Sequence, residues 1–233
     1  MSSLNNILAS LKGQLVVSCQ AEPPSPFDNP KDVTSFARCA IMGGAAGIRS
    51  CGIEKIKAIL EITDLPVIGL TKSRFPDGTI RITGTFAEVE SLVNIGTPII
   101  AVDGTFRERE DALTGPQYIA ALREKYPLQL FMADISTPEE ALACRKSGAD
   151  CVSTTLAGYT QYTVKTHGPD LDLIKALADK VDVPVIAEGR FLTPEDVDKG
   201  LAAGAHSVVI GKMITNAMFI TSQFIAQSER IAK

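Results

Sequence analysis

Eight short runs rich in β-branched and other apolar residues recur along this 233-residue chain, each followed by a polar loop and a segment of helical periodicity. They lie at 14–19, 46–49, 67–71, 99–103, 129–134, 151–155, 185–188 and 207–210. Several are almost continuously apolar, the pattern of parallel strands covered on both faces by crossover helices. Pro66, Pro98 and Pro184 stand immediately before three of them, where a missing amide donor costs least. The segments between carry helix punctuation. Thr137-Pro138-Glu139-Glu140 and Thr193-Pro194-Glu195-Asp196 each set an N-cap residue before a proline at the first helical position. Asp170 opens another helix, with Leu173, Leu177 and Val181 at four-residue spacing. Gly148-Ala149 and Gly204-Ala205 close helices ahead of the next strand.

Strict alternation of this kind, eight times over, selects a closed barrel over an open doubly wound sheet. The expected fold is therefore α/β, a single-domain (β/α)8 TIM barrel spanning 1–233. A short amphipathic helix is expected over about 1–12 and a C-terminal helix over about 212–231. No stretch approaches the roughly 20 apolar residues that cross a bilayer, and the start of the chain lacks a cleavage-like site. A net charge of -4 argues against nucleic-acid and membrane-surface partners. Cys19, Cys39, Cys51, Cys144 and Cys151 are odd in number and include no Cys-x-x-Cys pair. They read as reduced core thiols of a cytoplasmic protein.

In such barrels the chemistry sits on the loops that follow the strands. Tracing each run to its C-terminal end gives Gln20, Arg49, Lys72, Asp103, Asp134, Tyr159, Glu188 and Lys212. The last two runs lead into Glu188-Gly189-Arg190 and Gly211-Lys212, the pair of loops between which barrels frequently hold a phosphate. Gly189 and Gly211 let backbone amides approach an anion, and Arg190 and Lys212 add positive charge. The plainer reading is that both glycines only shape tight turns.

Lys72, at the end of an apolar run, is a candidate base at the barrel mouth. A base must be neutral, a state that burial and a neighbouring cation such as Arg49 promote. Glu188, on the seventh strand of eight, faces the third across the ring, so the two groups approach a substrate from opposite sides. It can equally hydrogen-bond a substrate hydroxyl. His167 and His206 do not form a ligand pair, and His206 stands at the start of the eighth run, away from the mouth. No metal is expected. Contact of Asp103 and Asp134 with sugar hydroxyls is favoured over a hydrated magnesium ion. No Gly-x-Gly-x-x-Gly fingerprint follows a run, so no dinucleotide cofactor is expected.

Seven segments stand in register from about residue 14 to residue 215: Val17-Ser18-Cys19-Gln20-Ala21, Gly47-Ile48-Arg49, Gly69-Leu70-Thr71-Lys72, Ala101-Val102-Asp103-Gly104-Thr105, Met132-Ala133-Asp134, Ala157-Gly158-Tyr159-Thr160 and Ile186-Ala187-Glu188-Gly189-Arg190. Together they resemble the bacterial N-acetylmannosamine-6-phosphate 2-epimerases. The resemblance implies a cofactor-independent isomerase that interconverts N-acetylmannosamine 6-phosphate and N-acetylglucosamine 6-phosphate, in sialic acid and amino-sugar catabolism. It implies Lys72 and Glu188 as the catalytic pair, Gln20, Arg49 and Asp134 as substrate contacts, and the Gly189-Arg190 and Gly211-Lys212 loops as the phosphate site. Tyr159 joins the substrate contacts by its place on the sixth loop. Members of that family often carry a small residue after the last glycine and an arginine four positions on, where this chain has Lys212 and Asn216. Gly84 stands where a proline is common.

The chemistry implied is simple. C2 of the opened sugar adjoins the C1 aldehyde, which makes its proton acidic enough for a positioned base. Lys72 takes that proton, Arg49 or backbone donors hold the enediolate oxygen, and Glu188 or Lys72 reprotonates the other face. Two other readings use the same residues. One is a Schiff-base sugar-phosphate aldolase, with Lys72 attacking the carbonyl. The other is a non-catalytic sugar-phosphate sensor, which has no use for a lysine opposed by a carboxylate. The C-terminal helix sets Ile214, Met218 and Ile225 on one side and widens the band with Met213, Ala217, Ile220 and Phe224. An outer barrel helix needs one apolar face, so the surplus points to a homodimer with this helix at or near the interface.

Overall fold

All eight runs become strands of one closed parallel barrel in the computed structural model, which describes residues 3–75, 78–109, 111–228 and 230. The chain opens with α1 (Ser3–Ser10), β1 (Gln14–Cys19), α2 (Pro30–Met42), β2 (Gly47–Cys51), α3 (Ile53–Leu60) and β3 (Val67–Leu70). A hairpin, β4 (Lys72–Arg74) and β5 (Ile80–Ile82), precedes α4 (Phe86–Asn94), β6 (Ile99–Asp103), α5 (Gly115–Lys125), β7 (Leu130–Asp134) and α6 (Pro138–Lys146). Then come β8 (Cys151–Ser153), a 3-10 turn at Thr154–Leu156, α7 (Leu171–Lys180), β9 (Val185–Glu188) and α8 (Pro194–Ala202). The chain continues through β10 (Ser207–Ile210), α9 (Lys212–Thr215) and α10 (Ala217–Gln227). Around the barrel the order is β1, β2, β3, β6, β7, β8, β9, β10 and back to β1.

The helix signals act as read. Thr137 and Thr193 cap α6 and α8 through reciprocal bonds with Glu140 and Asp196, and a proline occupies the first turn of each. Gly148 (φ 102°) and Gly204 (φ 104°) follow those helices in a left-handed conformation that side-chain-bearing residues disfavour.

Strand alternation divides the core into two layers. Val17, Ile100, Val102, Phe131, Ala133 and Val152 pack outward against the helices. Val16, Ile68, Ile99, Met132, Ile186 and Val209 fill the barrel, closed at its base by Leu8 and Leu11. His206 belongs to that base, where its Nε2 meets the Leu8 carbonyl at 2.8 Å.

Three features differ from the sequence reading. The run ending near residue 71 continues into the β4–β5 hairpin, in which Lys72 pairs with Ile82. The sixth strand stops at Ser153, and a 3-10 turn carries the next residues. The C-terminal helix breaks at Asn216 (φ −114°, ψ 87°), whose side chain accepts from the Phe219 amide at 2.8 Å and starts a new helix. The expected ends of the terminal helices, Met1 and Ile231, lie outside the described residues. No helix among the described residues is long and apolar enough to cross a membrane.

Candidate active site

Because Ile48, Ala133 and Ala187 face the helices, Arg49, Asp134 and Glu188 one residue later turn into the barrel, above its apolar filling. They meet there. Arg49 is 1% exposed and Asp134 0%, and the two pair bidentately, Nη1 to Oδ1 at 3.2 Å and Nη2 to Oδ2 at 2.5 Å. Nη1 also lies 3.0 Å from Glu188 Oε2, and the Glu188 side chain keeps 16% exposure. Burial opposes the Arg49 charge, yet Asp134 and Glu188 hold it more tightly than that of an ordinary arginine.

Burial lifts both carboxyls above their ordinary pKa, with Arg49 pulling the other way. For Glu188 the Asp134 charge adds to the rise, Lys72 opposes it, and a Thr155 hydroxyl that donated its hydrogen to Glu188 would oppose it as well. One guanidinium therefore serves two carboxyls in a poorly hydrated place. Such a cluster favours keeping one proton.

Lys72 occupies the first position of the hairpin after β3, across the ring from β9. Its ammonium pairs with Glu22 on the loop after β1, and the side chain is 31% exposed. Lys55 steadies that loop, donating to the Ala21 carbonyl at 2.9 Å and pairing with Asp28. The expected setting of a buried lysine beside a free arginine is thus not what the fold provides. Arg49 is already balanced by two carboxyls, and Lys72 has an acidic partner of its own.

The hairpin is tied down from the side. Arg81 Nη2 donates to the Glu108 carbonyl at 3.1 Å, and Arg109 donates to the Gly84 carbonyl. A Cβ at Gly84 would lie 2.5 Å from Ser73 Oγ and 2.9 Å from Phe75 Cε1. The space a side chain would need at 84 is therefore taken by Ser73 and Phe75.

The two glycine loops sit side by side after β9 and β10. Gly189 has φ 118°, and Gly211 caps α9 with no room to spare, since an added Cβ would meet Ser18 Cβ at 3.2 Å. The first amides of a helix have no intrahelical acceptor, which leaves those of α9 open to an anion. Arg190 is used partly elsewhere. Its Nε donates to Thr166 Oγ1 and the Gly168 carbonyl at 3.0 Å each, and its Nη1 to the Ala157 carbonyl at 2.9 Å. Lys212 is exposed, with Nζ 5.6 Å from the Phe219 ring centre. Asn216 turns to its own helix as a cap.

Gln20 donates to Ser18 Oγ at 2.8 Å beneath these loops. Tyr159 is 50% exposed on the rim under Lys165, and no hydrogen bond or ion pair joins it to the Arg49 cluster among the described residues. Asp103 is occupied within its own loop by Thr105 and by Arg107 at 2.6 Å.

Sequence reasoning passed over Glu22, Thr154 and Thr155. Thr154 Oγ1 donates to the Glu188 carbonyl at 2.9 Å and accepts its amide at 3.0 Å. Thr155 Oγ1 lies 3.0 Å from Asp134 Oδ1 and 3.1 Å from Glu188 Oε2. The signal is present, since the sixth run ends on Thr155, but the sequence reading assigns Tyr159, four residues on, to that loop.

Comparison with known proteins adds the family. The model of a family described as "Putative N-acetylmannosamine-6-phosphate epimerase" matches residues 33–230. A relative from Caldanaerobacter subterraneus subsp. tengcongensis, named "Putative N-acetylmannosamine-6-phosphate 2-epimerase", is 44% identical over 220 residues, 94% of this chain and 93% of the relative. A protein of the same name from Clostridioides difficile is 42% identical over 223 residues, 96% and 99% of the two chains. The solved structure of the N-acetylmannosamine-6-phosphate 2-epimerase from Clostridium perfringens matches with a TM-score of 0.88 at 41% identity, covering 93% of this chain and 94% of that one. Thiamine phosphate pyrophosphorylase from Pyrococcus furiosus, at 17% identity and a TM-score of 0.63, shares the fold alone.

Proposed function

The chain belongs to the N-acetylmannosamine-6-phosphate epimerase family, and from that premise we propose that it interconverts N-acetylmannosamine 6-phosphate and N-acetylglucosamine 6-phosphate by moving the proton at C2. The observation that carries the reading is the Glu188 carboxyl held on a buried guanidinium at one side of the mouth, with Lys72 in the hairpin that follows the strand opposite. Lys72 leaves Glu22 and gives up one ammonium proton to solvent, the neutral amine then takes the C2 proton, and the ammonium so formed pairs with the Glu22 carboxylate again. Arg49 Nε, which has no hydrogen-bond partner among the described residues, is a donor for the enediolate oxygen. Glu188 delivers a proton to the opposite face. Gln20, Asp134 and Tyr159 contact the sugar, and the amides of the Gly189 and Gly211 loops, with Arg190 and Lys212, take the phosphate. The chain works as one barrel domain, in the cytoplasm, on the amino-sugar branch that consumes sialic acid.

We also propose a homodimer. Helix α10 contains no buried residue, and Met218, Phe224 and Ile225 are 46%, 72% and 46% exposed. An apolar helix with nothing over it suits a second copy of the chain.

The test is turnover of N-acetylmannosamine 6-phosphate in D2O, followed by NMR at C2. Product carrying solvent deuterium is expected, with activity kept after exhaustive chelation. Lys72→Ala abolishes exchange without unfolding the chain, and Glu188→Gln slows it about 10²-fold or more. Product that keeps its original C2 hydrogen, or activity restored only by a divalent ion, overturns the mechanism.

A further inference from the structure

Thr155 stands between the two carboxyls of the site, and the number of hydrogens available to it is decisive. Its Oγ1 lies within hydrogen-bond distance of three oxygens: Asp134 Oδ1 at 3.0 Å, Glu188 Oε2 at 3.1 Å and Ser153 Oγ at 2.8 Å. A hydroxyl carries one hydrogen and two lone pairs, while an ionised carboxylate only accepts. Ser153 can donate to Thr155. The single Thr155 hydrogen then serves one carboxyl, and the other oxygen pair at hydrogen-bond distance has no hydrogen unless that carboxyl supplies it.

Which carboxyl does so follows from the cation. Asp134, although fully buried, receives both guanidinium bonds, and that pairing makes it the better-held anion. Glu188 receives only a single contact from Arg49. We infer that Thr155 is a positioning residue that keeps Glu188 in its acid form, with the Glu188 O–H donating to Thr155 Oγ1 and the Thr155 O–H donating to Asp134.

Thr154 completes the arrangement by clamping the Glu188 backbone through both its amide and its carbonyl. The two threonines after β8 thus fix where Glu188 sits and which proton it holds. The charged groups that act on it are Arg49 from β2, Asp134 from β7 and Lys72 after β3, with Asp103 acting through Asp134. An acid that is protonated before substrate arrives can deliver a proton to the face of the enediolate turned away from Lys72. The inference rests on the epimerase reading for its meaning, but not for its test.

The test is an infrared titration of the carboxylic acid C=O band that Glu188→Gln removes, which requires no turnover. In the unaltered enzyme that band is expected to persist well above the ordinary glutamate midpoint of about 4.3. In Thr155→Val it should vanish about one pH unit lower, because the neutral form loses its acceptor and Asp134 loses its donor. Thr155→Ser restores the hydroxyl and the original midpoint. In turnover Thr155→Val lowers kcat about tenfold or more with KM nearly unchanged, and serine recovers it.

A Glu188 band that titrates like an ordinary glutamate in the unaltered enzyme overturns the inference, even if the valine variant fails to fold. So does a valine variant with unchanged midpoint and kcat. Absence of epimerisation by the unaltered enzyme would instead remove the functional reading and leave the titration to decide the rest.

Discussion

Asp134→Asn and Glu188→Gln, made singly and together, read how one buried cation is shared between two carboxyls. Arg49 is 1% exposed, so its charge must be balanced by the groups packed around it. If Glu188 already carries a proton, its amide replacement is a near-isostere of a neutral acid and should change stability by less than about 0.5 kcal/mol. Asp134→Asn removes a bidentate charge-assisted contact, but Glu188 can then ionise and take over Arg49. The cost should be about 1.5–3 kcal/mol. The double variant leaves a buried guanidinium with no counter-ion and should approach about 5 kcal/mol, at least about 1 kcal/mol more than the sum of the singles.

For a chain of 233 residues the entropy of unfolding is about 0.5 kcal/mol per kelvin, so Tm falls about 3–6 °C for Asp134→Asn and about 10 °C for the pair. Urea titrations with unchanged slope, paired with calorimetry, make the measurement. The pH dependence gives a second check. A carboxyl whose folded pKa is raised binds its proton more tightly in the folded state. Its contribution is complete below the unfolded value of about 4.3 and is lost as pH rises through the folded value. Glu188→Gln should flatten that slope. Additivity within about 0.5 kcal/mol, or a loss of 3 kcal/mol or more from Glu188→Gln alone, would refute a shared single proton and place a second full charge on Glu188.

Lys212→Ala should raise KM for the phosphorylated sugar several-fold while leaving kcat close to normal, because Asn216 is committed to capping α10 and offers no second charge. An unchanged KM would assign phosphate binding to the loop amides alone. Phe224→Glu should convert the proposed dimer into a species near 25 kDa by sedimentation at micromolar concentration, since that ring is 72% exposed on an otherwise uncovered helix. A dimer unaffected by the substitution places the interface elsewhere, and an unaltered chain sedimenting as a monomer removes the dimer.

What the sequence made legible follows from the range of the forces involved. Strand positions emerge from apolar runs a few residues long, and four of the eight, at Gln14–Cys19, Ile99–Asp103, Val185–Glu188 and Ser207–Ile210, match the structure to the residue. The strand alternation that buries Ile48, Ala133 and Ala187 also fixes the inward direction of Arg49, Asp134 and Glu188, so these three were readable as mouth residues. Their mutual pairing was not, because it joins positions separated by 85 residues and depends on barrel closure. The same limit explains Lys72. Its place at a strand end is local, whereas its Glu22 partner comes from a loop 50 residues earlier. Thr155 was missed for a different reason. A threonine at the end of an apolar run looks like ordinary strand chemistry, and only the positions of Asp134 and Glu188 around its single hydroxyl turn it into part of the site. A residue that governs a proton need not be ionisable itself. In this barrel the count of hydrogens around one hydroxyl says more about the acid than the list of titratable groups does.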